Sequence, residues 1–438
     1  MKSIPKILIW LLAILFLIQV LQFIFPVINV KPLKGVVFEE EKPAVTWNNW
    51  ANGNLQSYIN NYVDFNFGFR PDFIRLYNQI QYSAFDAIHN DGIIIGKNEY
   101  LFGTDYLKEY YGEDYLGADS IQAQINKLQY IREYLKQYNT ELLVVLAPGK
   151  PYFYPEYLPD QSRKSADKTN YYEFKDQLNQ AQIPVFDVNK WFIDIKDTIK
   201  APLFTQTGIH WSVYGARWVA DSLIKKSSAI LNKPMNQIHI NNYDFSFDFQ
   251  YSDNDLADLL NLFGNISDYP AAYPNFTRDD SIPKNERPNL IVISDSFFWL
   301  LFDGVLGNAY GSIDYYYYYS SIFSENYNEG TTVGNICVPC ELRKTDLLII
   351  MATTPSLKNF GYSFIDDFYL EIRPDYKQAL DSLTSTYITV IKSDENWLNM
   401  VKQKAIKNNL GVDSMIFIDA RYMAKLKLEE QLKSKDIQ

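Results

Sequence analysis

Apolar and polar positions divide the chain into stretches of different period. The first stretch is almost unbroken: from Ile7 to about Ile28 only Gln19, Gln22 and Pro26 interrupt an apolar run that Lys2 and Lys6 precede. A helix rising ~1.5 Å per residue covers about 30 Å over such a run, enough to cross a bilayer core. No small-x-small cleavage pattern follows, since the next residues are Asn29-Val30-Lys31-Pro32. This favours an uncleaved signal anchor over a cleaved signal peptide. The flanking charges are nearly balanced, Lys2 and Lys6 against Lys31 and Lys34, and the acidic trio Glu39–Glu41 does little to orient the segment. The expectation is a single-pass membrane protein with its bulk outside the cytoplasm.

After an aperiodic tether (31–54), Leu55, Ile59, Tyr62, Val63 and Phe67 fall on one helix face. Gly68 ends that helix. Pro71 starts another at a first-turn position, and Phe73, Ile74, Tyr77, Ile80, Ala84 and Phe85 make it amphipathic. Ile93–Ile95 and Tyr100-Leu101-Phe102 read as a hairpin around Gly96-Lys97-Asn98. The helix Ala118–Tyr138 leads to the strand Leu142–Ala147, and the helix Thr169–Gln180 to the strand Val185–Val188. Two such units in succession imply a parallel sheet with right-handed crossovers. Between them, 151–162 holds three prolines and four aromatics, a shaped loop on the sheet's carboxyl side. Ser212 can cap a helix Val213–Lys225.

Residues 241–287 show little periodicity and read as a long excursion able to roof a site. Leu290–Ile293 is a short buried strand that breaks at Ser294-Asp295-Ser296 and resumes as an apolar helical segment from Phe297 to Leu306. Tyr315–Tyr319 reads as an edge strand aromatic on both faces, and Leu347–Met351 as a buried strand. Beyond about residue 370 the period is helical: Tyr376–Leu383, Glu395–Asn408 and Ile418–Leu432. The expected organisation is an anchor (1–30), the tether, a main α/β domain (55–370) and a C-terminal helical extension (371–438).

Composition changes this picture little. At 438 residues and 47% hydrophobic content the chain can bury a sizeable core, and 21% charged residues argues against disorder. A net charge of −11 disfavours nucleic acid as a partner. Tyrosine is abundant at 34 residues, a type that serves both cores and sugar contacts. Cys337 and Cys340, the two cysteines, lack the further pair a structural zinc site needs. They could form a disulfide outside the cytoplasm, act in redox chemistry, or remain inert thiols.

The candidate chemistry gathers at two places. Ser296 follows a strand at the carboxyl end of a sheet, where ligands of open α/β sheets collect. His210 is one of three histidines and sits in a polar loop, Thr205-Gln206-Thr207-Gly208-Ile209-His210-Trp211, just before a helix. A serine becomes a nucleophile when a histidine takes its proton. A polar break after a buried strand explains Ser296 equally well on its own.

Taken in order, GIIIGKNEYLF, LLVVLAPGKPYFYPEYLP, TQTGIHWSVYGARWVADSL and LIVISDSFFW resemble the SGNH-hydrolase-like domain of periplasmic alginate O-acetyltransferase subunits of the AlgX/AlgJ type. The resemblance spans roughly residues 55–360. It implies a three-layer α/β/α sandwich with a mainly parallel, flavodoxin-like sheet. It also implies a serine that passes an acetyl group to a sugar hydroxyl of an exopolysaccharide, without a cofactor or metal. Ser296 matches the serine of the family's G-D-S motif and Asp295 its aspartate. His210 and Trp211 match the H-W of D-x-H-W, and Lys150 the lysine of a P-x-K loop. The expected substrate contacts are Lys150, Trp211, Tyr154 and Ser294. A membrane-bound O-acyltransferase is the implied source of the acetyl group, and the bacterial inner membrane, with the bulk of the chain in the periplasm, is the implied location. Two positions depart from the pattern: Gly208 replaces the aspartate two before the histidine, and Ser294 the glycine before Asp-Ser. Asp187, at a strand end, is the first candidate to replace the missing carboxylate, set against an ordinary helix-capping role. The alternative is a non-catalytic carbohydrate-binding or scaffold subunit with Tyr152, Tyr154, Tyr157 and Tyr315–Tyr319 as sugar platforms.

Overall fold

The computed structural model describes residues 4–435 except 37, 39, 160–164, 303, 408 and 409. Ten strands are present among them: β1 (Ile93–Ile95), β2 (Leu101–Gly103), β3 (Glu141–Ala147), β4 (Val185–Asp187), β5 (Ile238–Ser246), β6 (Ala271–Arg278), β7 (Asn289–Ser294), β8 (Ser312–Tyr317), β9 (Ser321–Phe323) and β10 (Leu347–Thr353). Six build the main sheet in the order β4-β3-β10-β7-β8-β9. β4, β3, β10, β7 and β8 pair in parallel, and β9 runs antiparallel to β8 at the edge, so the sheet is mixed. β3, β7 and β10 are runs of Leu, Ile and Val, buried along nearly their whole length. Strands in the middle of a parallel sheet, covered on both faces, read that way.

The helices form for local reasons that the pattern anticipates. Ala118–Lys136 buries Ile121, Ile125, Leu128, Ile131 and Leu135, a row at helical spacing. The Thr169 hydroxyl accepts from Tyr172 N at the start of Asn170–Gln180, and that of Ser212 from Gly215 N at the start of Val213–Leu231. Each satisfies one of the free donors of a helix's first turn. The C-terminal helices Pro374–Ser393, Glu395–Lys407 and Val412–Lys435 gather small apolar clusters of their own, around Ile391, Val401 and Ile416 and around Leu380 and Ala424. Of the residues assigned to them, Asn408 lies outside the described residues.

Several expectations need correction. β8 is not an edge strand: it lies between β7 and β9, and Tyr315 and Tyr316 are fully buried. Tyr318 and Tyr319 leave it in a turn with φ of 49° and 50°. Among the described residues just after Ser296 there is only a 3₁₀ turn (Ser296–Phe298) and a single turn Trp299–Phe302, in place of a longer helix. The stretch after Gly149 is more regular than a loop, with a helical turn Lys150–Phe153 and a 3₁₀ turn Pro155–Tyr157; its residues 160–162 lie outside the described residues. The aperiodic excursion 241–287 holds the antiparallel pair β5–β6 and a short helix, Asp255–Leu259. Of the alternatives open for Cys337 and Cys340, the structure shows the disulfide.

The sheet's centre carries the stability of this architecture. Leu348 in β10 is fully buried between β3 and β7. Leu348→Ala is expected to lose about 2–5 kcal/mol, the usual cost of emptying a leucine site that cannot collapse. Chemical denaturation should show a lower midpoint at an unchanged slope.

Candidate active site

The serine's position follows from how β7 ends. The Asp295 side chain accepts from Phe297 N at 3.2 Å and caps the 3₁₀ turn. Its other oxygen accepts from Thr353 N at 2.9 Å, Thr353 Oγ1 at 2.7 Å and Tyr362 Oη at 3.1 Å. Tyr315 Oη donates to the Asp295 carbonyl at 2.5 Å. Asp295 therefore ties the carboxyl end of β7 to that of β10, and Ser296, the next residue, is turned into a cleft of about 570 Å³. Tyr106, Lys108, Ile209, Tyr318, Lys358 and Tyr362 are among the residues lining that cleft with His210 and Ser296.

His210 arrives from a loop whose ends are pinned. Phe204 and Trp211 form an isolated antiparallel bridge across it. Trp211 is fully buried, edge-on to Phe297 at 5.2 Å, and the same phenyl ring lies 4.7 Å from the His210 imidazole. His210 Nε2 stands 2.8 Å from Ser296 Oγ, and His210 Nδ1 stands 2.5 Å from Asp255 Oδ2. The other Asp255 oxygen accepts from Ile209 N at 2.8 Å, which fixes the carboxylate's rotation. A carboxylate can only accept from Nδ1–H, so the hydrogen-bond network assigns the tautomer whose Nε2 accepts from the serine hydroxyl. That arrangement can take a proton from Ser296 and stabilise the resulting imidazolium.

Asp255 was not among the residues singled out from sequence. It opens the short helix Asp255–Leu259 inside the excursion. A signal existed: the acidic stretch Asp253-Asn254-Asp255 precedes Leu256, Leu259 and Leu260 at helical spacing. Gly208 shows why the carboxylate comes from there. A Cβ at 208 would lie 2.6 Å from Thr205 Oγ1, 2.9 Å from the Ser252 carbonyl and 3.0 Å from that of Asp253. The segment that brings Asp255 occupies the space a side chain at 208 would need. Thr205 Oγ1 accepts from Gly208 N at 3.0 Å and donates to the Asp253 carbonyl at 2.6 Å. Thr207 Oγ1 donates to Asn254 Oδ1 at 2.6 Å, and the Thr207 carbonyl accepts from Leu256 N.

The remaining sequence-derived residues stand elsewhere. Asp187 caps the helix Val188–Ile195 by accepting from Lys190 N at 2.9 Å, and it accepts from Tyr171 Oη at 3.0 Å. It is a helix cap, not the partner of His210. Lys150 is buried and spends its three protons on the carbonyls of Leu101, Gln206 and Gly208, at 2.7, 2.8 and 2.8 Å. It ties β2 to the histidine loop and leaves no donor for a substrate. Burial pushes its ammonium down to about 7. Tyr154 is buried with Oη on the Phe204 carbonyl at 3.3 Å, and Ser294 is buried at the end of β7. Like Trp211, these two support the site from behind.

Asp253 is buried beside this cluster, with Oδ1 accepting from Val213 N at 3.1 Å. Burial raises its carboxyl from 3.8 to about 7. Its folded pKa lies above its unfolded value, so the native state binds the proton more tightly between those values, and stability falls as pH rises through that window. Glu109, buried and raised to about 7, adds a slope of the same sign. The thermal midpoint is therefore expected to decline between about pH 4.5 and pH 7.5, and Asp253→Asn to flatten part of that decline.

Parts of the chain are similar to known proteins. Residues 93–284 match the family described as SGNH hydrolase-like domain, acetyltransferase AlgX; the match includes His210 and Asp255 and stops short of Ser296. "Probable alginate O-acetylase AlgJ" of Pseudomonas putida is 23% identical over 177 residues, 40% of this chain and 44% of that protein. The protein of that name in Azotobacter vinelandii is 28% identical over 172 residues, 39% of this chain and 42% of that protein. The chain thus spans less than half the length of these curated relatives. Among solved structures, the O-acetyltransferase domain of Pseudomonas putida AlgJ aligns with 64% of this chain and 98% of its own, at 16% identity and a TM-score of 0.42.

Proposed function

We propose that this chain, whose residues 93–284 match an SGNH hydrolase-like domain of the AlgX type, is a membrane-anchored, extracytoplasmic O-acetyltransferase acting on an exopolysaccharide through Ser296, His210 and Asp255. The observation that carries this reading is the continuous hydrogen-bond chain from the Asp255 carboxylate through both ring nitrogens of His210 to the Ser296 hydroxyl. In the proposed reaction, Ser296 Oγ attacks the acetyl carbonyl of the donor as its proton passes to His210 Nε2. Asp255 holds the imidazolium that forms, and Nε2 returns the proton to the leaving group. The acetyl group then rests on Ser296 as an ester. A sugar hydroxyl attacks that ester, Nε2 takes the hydroxyl proton and gives it to Ser296 Oγ, and the acetylated sugar leaves. Backbone N–H groups at the turn after β7 would meet the oxyanion of each tetrahedral intermediate.

The wider reading takes the main domain as a three-layer α/β/α sandwich and the helix spanning Lys6–Ile24 as a single-pass anchor. It places the domain in the periplasm, facing its polysaccharide acceptor, with a membrane-bound O-acyltransferase as the acetyl source. A non-catalytic scaffold is supported less well. Its main argument was the glycine at 208, and the carboxylate expected there is supplied by Asp255. Its aromatic platforms are largely spent on packing: Tyr152, Tyr315 and Tyr316 are buried, and Tyr157 is stacked on Tyr100 at 3.8 Å.

An acetyl-ester reporter tests the assignment. Ser296→Ala is expected to abolish turnover above background, and Asp255→Asn to lower kcat by about 10²–10⁴-fold through loss of the productive tautomer. Asp187→Asn should leave turnover near wild type. Adding Gly208→Asp to Asp255→Ala should restore nothing, because position 208 has no room for a side chain. Equal turnover by wild type and Ser296→Ala would sink the mechanism.

A further inference from the structure

The helix Arg70–Phe85 is turned inside out relative to a surface helix of a soluble protein. Its apolar stripe, Phe73, Leu76, Tyr77 and Ile80, is 45%, 47%, 51% and 50% exposed. These positions share one face by helical spacing. The polar side chains point inward instead. Arg75 is buried, with one nitrogen on the Pro32 carbonyl at 2.8 Å and another on Asp72 at 3.1 Å. Asn78 donates to the Leu260 carbonyl at 2.9 Å, and Gln79 accepts from Phe263 N at 3.2 Å. A contiguous apolar face held outward by polar anchors marks a contact surface.

We infer that the helical hairpin formed by Asn54–Asn66 and Arg70–Phe85 lies in the lipid–water interface, with the Phe73–Ile80 stripe against the bilayer. The inference rests on the reading of the helix spanning Lys6–Ile24 as a membrane anchor. The occupant follows from how the hairpin meets that helix. The bend between the two helices is packed directly on it: Phe67 lies 5.9 Å from Phe16 and 6.0 Å from Phe23, and Tyr62 lies 6.4 Å from Phe23. Gln19, a polar interruption of the apolar run, accepts from Phe69 N at 2.5 Å. A Cβ on Gly68 would come within 2.6 Å of the Gln19 carbonyl, so the two backbones touch. Gln19 stands five residues before Ile24, ~7.5 Å along a helix axis. Interfacial amphipathic helices bury their apolar face about 5–10 Å into the headgroup boundary. The bend is therefore at the depth of the interface, and a backbone donor placed there needs the partner Gln19 supplies. Gln22, the second interruption, does the same for Ile28, donating to its carbonyl at 2.6 Å and accepting from its N–H at 3.3 Å. Trp47 and Trp50, 82% and 52% exposed, precede the hairpin, and tryptophan is favoured at that depth.

The full chain, reconstituted into vesicles of phosphatidylethanolamine and phosphatidylglycerol, tests this with an environment-sensitive label on single introduced cysteines. Cys337 and Cys340 are joined to each other and do not compete for the label. Leu76→Cys and Ile80→Cys report the stripe, Leu17→Cys the anchor, and Glu329→Cys an exposed site in the main domain. With brominated acyl chains in the vesicles, the labels at 76, 80 and 17 are expected to lose most of their emission while that at 329 keeps its own. Quenching at 17 without quenching at 76 and 80 overturns the inference, assigns the stripe to water or a protein partner, and leaves the anchor intact. No quenching at 17 removes the anchor and the inference with it. Quenching of all four labels alike would mean adventitious adsorption and would also overturn it.

Discussion

The site depends on the Asp255 carboxylate reaching both His210 Nδ1 and Ile209 N. One oxygen orients the imidazole and the other locks the carboxylate, which cannot turn without breaking both contacts. Two segments far apart in sequence must be held side by side for this to persist, against the entropy of ordering them. A row of bonds does so. Thr205 binds the Asp253 carbonyl, Thr207 binds Asn254, and the amides of Leu256 and Ala257 converge on the Thr207 carbonyl. Lys150 secures the same loop from below through Gln206 and Gly208. Remove this clasp and Ser296 becomes a polar turn after a buried strand, with no base in reach.

The serine's own placement is a property of the sheet. β7 has β10 on one side and β8 on the other, and the chain runs from β3 toward one edge and from β7 toward the opposite edge. The carboxyl ends of such strands border a crevice where connections diverge. Asp295 converts that topology into a fixed position by bonding β7's end to β10's end through Thr353 and Tyr362. The proposed catalytic set thus has one member at a strand end, one on a loop and one at the start of a short helix, the last two bonded to each other.

How far the sequence anticipates this depends on the kind of information each residue carries. The strands β3, β7 and β10 were legible because an uninterrupted Leu/Ile/Val run has few other uses. Ser296 and His210 were paired through the resemblance of their motifs, helped by the scarcity of histidine, because spacing along the chain leaves a polar turn as good an explanation of Ser296. Asp255 was not, since many acidic residues precede helices and spacing along the chain cannot say which one folds back across 45 residues. Lys150 and Trp211 were assigned to substrate through the family motifs and Tyr154 as an aromatic platform, yet each is buried and bonded or packed within the protein. A polar side chain looks the same in sequence whether it meets a ligand or satisfies a carbonyl. Tyr315 and Tyr316 misled for the same reason, since aromatic runs fill cores as readily as they line surfaces.

The hairpin beside the apolar N-terminal helix exposes a deeper limit of pattern reading. Periodicity places Phe73, Tyr77 and Ile80 on one face and says that face avoids water. It does not say what the face meets instead. In a soluble domain the answer is the core, and a helix has no polar cargo to deliver inward. Here the core side of Arg70–Phe85 is polar, and its Asn78 and Gln79 bind the 260–263 backbone, just beyond the helix that Asp255 opens. The tether joins the same segment, with Lys34 N on Asn261 at 2.8 Å. The element that contacts the apolar N-terminal helix and the element that orients the histidine are therefore parts of one bonded assembly. In the proposed function the protein receives a group from a membrane donor and passes it to a glycan, which needs the site at a set height and angle. Holding the histidine's carboxylate in the frame that contacts the N-terminal helix would supply both with the same few hydrogen bonds.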